Sequence, residues 1–515
     1  MFKTFNSITP KHVFFVTALG LFLATGAQAQ TTLEELKAHP AYTSSNYLAY
    51  PEPDRNVKYT KAPKGYKPFY ISHYGRHGSR YHHSADEYNY LFETLQKADA
   101  AKALTLDGKR LLIASQILAK KAAPRAGDLT QVGAKQHEGI AKRMAKNFPE
   151  LFKVKKVKGK KIQPHVDAYA STSGRCIVSM SAFTAGLSSV APDVDIRMES
   201  GKDLMSFICT FDWGNMDYTR PEAYITESDK LWNAIDSKPL MNKLFSDSAY
   251  VAANLDANNF YNKLFEIVAS MQGMDAPLKD VIHANLCDVK TGKCNDILDS
   301  LFTVEESITR WKAQNSWWYS LLGTSPLQNT TKGIDYAKGT LENIISEANH
   351  AIALDAAKSL TEHTVATLRF GHDAGLLPLA GLMQLSVSNA KVSDLSTLHE
   401  QWTDFKVIPM AANLQMVFYK NPKKSDDILV KFLYNEREVT APIPCSADIE
   451  TVAGENVATT ENVAAANSKE TANPKQAKKP AKKQASKCPA APYYRWDDVK
   501  DFYKKILTSP SSSGN

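Results

Sequence analysis

Cysteine is scarce in this chain: there are six in 515 residues, and none falls at the paired spacing that a zinc site uses. A long apolar run is also missing, because the one candidate, Val13 to Ala24, is too short to cross a bilayer. Net charge is modest as well. Of the formal +8, Lys3 and Lys11 supply two, and seven lysines against four glutamates in residues 450–487 supply three more, which leaves the body near +3. That balance offers no broad field for nucleic acid, so any anion selectivity has to be local. Hydrophobic content of 43% and charged content of 23% are those of an ordinary globular protein, and the length is enough for a large core.

The first 29 residues read as a processing segment. Two lysines precede the apolar run, and Ala27-Gln28-Ala29 supplies the small residues of a cleavage site, so the mature chain is expected to begin at Gln30. No cysteine follows the run to carry a lipid anchor, and the expectation is a periplasmic or secreted protein. Export permits disulfides. Cys287 and Cys294 flank a turn-like segment, and Cys445 and Cys488 bracket a low-complexity stretch; both pairs are candidate bridges. Cys176 and Cys209 either pair or pack as small apolar side chains.

Hydrophobic periodicity divides the rest. Residues 30–66 form a lead-in. Strand-like and helical runs alternate from about 67 to 187, helix-period patterning dominates 215–350, and strand signals return at Thr364–Phe370, Leu414–Tyr419 and Ile428–Tyr434. This predicts an α/β catalytic domain, a sheet flanked by helices, assembled from 67–214, 351–447 and 488–515. A mostly helical cap would be inserted at 215–350. Residues 448–487 have few large apolar side chains and read as a disordered insertion.

Three clusters carry the chemistry. Arg76-His77-Gly78-Ser79-Arg80 follows the apolar run Pro68-Phe69-Tyr70-Ile71, placing an imidazole and two guanidiniums at the end of a strand. Guanidinium forks suit phosphate oxygens, and the glycine allows close backbone approach. Ser171-Thr172-Ser173-Gly174-Arg175 links a second strand-like run to a helix, and Phe370-Gly371-His372-Asp373 ends a third. Strand ends in open α/β sheets are where ligands bind, and helix N-termini there favour anions.

Together these segments resemble the second branch of the histidine phosphatase superfamily, the histidine acid phosphatases and phytases. The R-H-G-x-R motif matches at Arg76, His77, Gly78 and Arg80, the third arginine at Arg175 and the H-D motif at His372 and Asp373. Gly127-Asp128-Leu129-Thr130-Gln131-Val132-Gly133 with Gln136 is similar to the branch's segment between the first two motifs. The context of Phe370-Gly371-His372 followed by Leu376-Leu377-Pro378-Leu379 is similar to multiple inositol polyphosphate phosphatases, although those carry His-Ala-Glu where this chain has His-Asp.

The resemblance implies hydrolysis of a small phosphomonoester with no cofactor and no metal. His77 would be the nucleophile and Asp373 the proton donor, with Arg76, Arg80, Arg175 and His372 on the phosphate. Phytate and other inositol polyphosphates head the substrate expectations, followed by a broad acid or sugar phosphatase, then a phosphotransferase or mutase, then an inactive binding module. Acting as an acid requires a raised Asp373 pKa, which burial and the substrate's charge would supply, and an acidic optimum follows. Taken singly, Arg175 reads as a solvated helix start and His372-Asp373 as a cap. His73, His82 and His83 match no common ligand spacing. His137 reads as a surface or packing histidine, and Trp311, Trp317 and Trp318 as core rather than a sugar-stacking face.

Overall fold

The computed structural model describes residues 32–53, 58–212, 221–287, 291, 294–328, 331–357, 363–446 and 488–510. The leader and the low-complexity stretch lie outside them.

A mixed sheet organises the chain. Its strands are β1 (Lys67–Arg76), β4 (His165–Ala170), β5 (Asp195–Ser200), β6 (Thr364–Gly371), β7 (Asn413–Asn421), β8 (Lys424–Tyr434), β9 (Arg437–Val439) and β10 (Tyr493–Arg495). A separate hairpin joins β2 (Lys155–Val157) to β3 (Lys160–Ile162). The order is β10-β8-β7-β1-β6-β4-β5, with β9 beside β8. From β1 through β6 and β4 to β5 the strands run parallel, whereas β7, β8 and β10 are antiparallel additions.

Period-two alternation sends side chains to two cores. On β7, Leu414, Met416 and Phe418 enter one, while Val417 and Tyr419 enter the other. The first core also receives α6 (Val304–Leu322), α7 (Lys338–Ala356), α8 (Asp373–Leu382) and α9 (Trp496–Thr508). The second is closed by α3 (Gln131–Asn147) and α4 (Gly174–Val190), through Ile140, Met144, Phe183 and Leu187.

A third core is mostly helical, and here the packing departs from chain order. It unites α1 (Ala85–Ala100) and α2 (Leu106–Lys121), from the segment expected in the sheet domain, with α5 (Ala257–Ser270) and its neighbours up to Leu301. Conversely, α6 and α7 from the expected cap pack on the sheet. The boundary at 215–350 therefore does not coincide with the division of the cores. Apolar stripes state that a helix has a buried face, not which neighbour covers it.

Side-chain caps start these helices. Ser84 caps α1 by accepting from Glu87 N–H, Thr130 caps α3 through Gly133 N–H, and Thr303 with Glu306 forms a full capping box on α6. Two disulfides form, Cys287–Cys294 and Cys445–Cys488. Cys176 and Cys209 stay reduced and buried, so Cys176 behaves as a small core residue whose thiol donates to the Gly371 carbonyl at 3.2 Å. No helix among the described residues is long and apolar enough to cross a membrane.

Candidate active site

The three motifs meet because β1, β6 and β4 are parallel neighbours. Arg76 is in register with Gly371, and Ala170 with Phe370, so all three strands release their chains at one edge. His77 N–H then donates to the Gly371 carbonyl at 2.9 Å, and Ser171 N–H to the Phe370 carbonyl at 2.9 Å.

The segment from Gly127 to Gln136 clamps the first of these loops. Gln136 accepts from Ser79 N–H at 2.9 Å and donates back to Ser79 Oγ at 2.9 Å, while Thr130 N–H donates to the Ser79 carbonyl at 2.9 Å. The approach is close enough to require glycine on both sides. A Cβ on Gly78 would lie 2.5 Å from the Gly133 carbonyl oxygen, and one on Gly133 would lie 2.3 Å from the Ser79 carbonyl oxygen. Gly133→Ala is therefore expected to cost about 1–3 kcal/mol of stability, the usual penalty of overpacking. A thermal melt checks it; an unchanged Tm would mean that the clamp yields.

A cavity of about 600 Å³ lies over these loops, lined among others by His77, Arg80, Arg175, His372 and Asp373. His77 is buried, and its Nδ1 lies 2.9 Å from the Gly78 carbonyl oxygen. A carbonyl only accepts, so Nδ1 carries the proton and Nε2 holds the free lone pair. Burial, then the charges of Arg175, Arg76 and Arg80, hold the ring well below the usual histidine range, which keeps it neutral.

Arg175 stands in the first turn of α4 and approaches His372 Nδ1 with a guanidinium nitrogen at 3.3 Å; His372 Nε2 faces Ser171 Oγ at 3.0 Å. Burial and Arg175 push His372 down to about 4. Arg80 lies over the Tyr47 ring at 5.0 Å and keeps its Nε without a hydrogen-bond partner. Arg76 is placed differently from its neighbours. It is fully buried behind the lining residues, donating to the Asn46 carbonyl at 2.6 Å and to the Ile408 carbonyl, and pairing with Asp373 at 2.8 Å.

Asp373 opens α8, with its Oδ1 accepting from Ala374 N–H at 2.9 Å and its Oδ2 from Asn46 Nδ2 at 3.0 Å. Burial pushes this carboxyl up, but Arg76, His372, Arg80 and Asn46 outweigh it and bring the group down to about 2. The expected upward shift is thus reversed in the free site, because the motif string does not show that Arg76 faces the acid.

Two further walls were invisible in the motifs. The lead-in's short helix, Pro40–Tyr47, brings Ser44, Ser45, Asn46 and Tyr47 into the cavity. Its only local signal is a run of polar residues, Thr43 to Asn46, that is buried without any periodicity. The other wall is α6, where Arg310, Gln314, Trp317 and Trp318 recur at helical spacing and line the cavity. Trp311, off that stripe, is core and donates to Asp404 at 2.9 Å. His73 and His137 are core too, packed on Phe370 and pushed to about 3 by burial.

A neutral imidazole beside two cavity-facing guanidiniums and a helix-start carboxyl is the site of an enzyme that handles a small, doubly charged anion. The chain belongs to the histidine phosphatase superfamily (branch 2), whose profile matches residues 75–435. It is a phosphatase. Among solved structures, Bifidobacterium longum multiple inositol polyphosphate phosphatase in complex with inositol hexasulfate is 18% identical, with a TM-score of 0.58 over 79% of this chain and 95% of that one. The phytase from D. castellii is 13% identical, with a TM-score of 0.54 over 91% of this chain and 86% of that one. Both share its fold. No curated protein sequence matches this chain.

Proposed function

We propose that this phosphatase is an exported, metal-independent phosphomonoesterase that works through a phosphohistidine on His77 and acts on inositol polyphosphates. The observation that carries the chemistry is the tautomer of His77: with Nδ1 held by the Gly78 carbonyl, Nε2 is the nitrogen available to attack phosphorus. Attack forms the Nε2–P bond and breaks the bond from phosphorus to the ester oxygen, and Asp373 gives its proton to the departing alkoxide. Water then attacks phosphorus, returns a proton to Asp373 and breaks the N–P bond. Arg80 and Arg175 hold the non-bridging oxygens, His372 adds its Nε2–H as a donor by exchanging Ser171 Oγ for the phosphate, and Arg76 contributes positive charge from behind.

The low pKa of Asp373 decides where its proton comes from. A phosphomonoester has a second pKa of about 6, so below that pH it arrives as a monoanion carrying a proton. Seating it between Arg80, Arg175 and Asp373 makes the phosphoryl group the better partner for the cations and passes that proton to Asp373. Activity as kcat/KM is therefore expected to fall as pH rises through the substrate's own second pKa, and to shift when an ester of different pKa is used. A rate flat from about pH 4 to 8 would remove Asp373 from the acid role.

Inositol polyphosphates are favoured by the cavity, whose size suits a ring-shaped ligand. The likeness to structures of an inositol polyphosphate phosphatase and a phytase supports the same choice. A second reading, a general or sugar phosphatase, is favoured by α6. There Arg310 is engaged by Glu266 at 3.3 Å, and Trp317 and Trp318 present rings rather than charge. Phosphate release from phytate, p-nitrophenyl phosphate and glucose 1-phosphate separates the two. Turnover of phytate far above the others is expected, while equal or better turnover of the small esters would establish the second reading. Chelator treatment is expected to leave the rate unchanged. Export rests on the leader and on the two disulfides, and the amino-terminal sequence of the recovered protein should start at Gln30.

A further inference from the structure

We propose that His82, His83 and Glu266 form a zinc site on the wall of the catalytic cavity, with Glu87 as an additional oxygen ligand. One potential ligand atom from each of His82, His83 and Glu266 lies within 4.8 Å of the others. His82 is fully buried, and its Nε2 lies 3.3 Å from Glu87 Oε2 and 3.6 Å from Glu266 Oε2. Both are wide, ion-pair approaches, and His82 Nε2 and Glu87 Oε2 stay buried without a well-formed hydrogen bond. Buried polar atoms are normally satisfied, and a cation between these would satisfy both.

The carboxylates are arranged to leave those oxygens available. Lys263 holds Glu87 through Oε1 at 3.0 Å, and Arg310 holds Glu266 through Oε1 at 3.3 Å. In each case the other oxygen, Oε2, faces His82. The flanking cations thus orient the ligands without occupying them. His82 Nδ1 lies 3.4 Å from the Ser84 carbonyl oxygen and 3.3 Å from Ser84 N–H. Metal binding selects the first contact, with Nδ1 protonated toward the carbonyl and Nε2 bare, the usual arrangement behind a metal-ligating histidine.

Two imidazoles and a carboxylate are the donor set of zinc, whereas magnesium and calcium prefer oxygen alone. Ligand bonds of about 2.1 Å imply ligand–ligand separations near 3.4 Å, so side-chain rotations of about an ångström close the site. His83 and Glu266 also line the catalytic cavity, which puts the ion on its wall rather than in the core. A second grouping, His283 with Cys287 and Cys294, is no competitor, because its sulfurs are joined in a disulfide. Chain spacing could not show the His82 site, since Glu266 comes from α5, far along the sequence.

The test is equilibrium dialysis of the chelator-stripped full chain against zinc chloride alone, a readout independent of phosphatase activity. One zinc retained per chain is expected, with retention at least about tenfold weaker in His83→Ala and in Glu266→Gln. Cobalt in place of zinc should give the visible absorption of a tetrahedral ion in the wild type and lose it in both variants. His83 is exposed, so its variant should keep the wild-type melting profile and stay informative even where Glu266→Gln does not fold. Retention of zinc by His83→Ala equal to the wild type, or no retention by the wild type, would overturn the proposal.

Discussion

His77→Ala is expected to lower phosphate release by about 10⁴-fold or more while leaving affinity for inorganic phosphate within a few-fold of the wild type. The size follows from the role. An imidazole that forms the covalent bond has no substitute within reach: of the other two cavity imidazoles, His83 turns to Tyr47 and the lone pair of His372 Nδ1 is taken by Arg175. The binding side should survive, because Arg80, Arg175 and the helix starts do not depend on the His77 ring for position. The Ser79 clamp is made by Gln136 and Thr130. Steady-state phosphate release and phosphate titration by calorimetry separate the two effects. A residual rate within about tenfold of the wild type would mean that water, not His77, attacks phosphorus.

Asp373→Asn should produce the second large effect, one that depends on the leaving group. General acid catalysis is worth about 10²–10⁴-fold, and an alkoxide leaving an inositol or sugar needs all of it. The anion leaving p-nitrophenyl phosphate is stable without a proton, so its release should fall far less. The amide also removes half of a buried ion pair with Arg76, whose partner would be left charged and enclosed. A lower Tm is therefore expected alongside the kinetic loss. The ratio between the two substrates, measured on one preparation, is insensitive to that loss of stability. Equal losses for phytate and p-nitrophenyl phosphate would assign Asp373 to structure instead of proton transfer. The same carboxyl sets a pH term. Because its folded pKa lies below the ordinary value near 3.9, it adds stability above that pH and loses it as pH falls through about 2.

Much of this site was legible because its pieces are local. Each motif is a strand end followed by a turn or helix start, and such a unit is encoded within about ten residues. What brings the units together, the parallel order β1-β6-β4, agrees with the rule that sites gather at strand ends. Illegible parts all depend on distant neighbours. Asn46 reaches Asp373 across 327 residues, and nothing around it in the sequence distinguishes it from any other polar residue of the lead-in. The stripe Arg310, Gln314, Trp317 and Trp318 has helical spacing, but spacing alone does not tell a cavity wall from a core. The pKa of Asp373 depends on a distant neighbour in the same way: burial raises it, but Arg76, which faces it from another strand end, lowers it in the absence of substrate.

Rapid acid-free quenching of the wild-type enzyme during turnover of p-nitrophenyl phosphate, followed by mass analysis of its peptides, tests the covalent route most directly. A phosphoryl group on the peptide containing His77, lost when acid is added and absent from His77→Ala, is expected. A phosphoryl group on any other residue, or unmodified peptide from an enzyme that releases a burst of p-nitrophenol, would contradict the phosphohistidine mechanism.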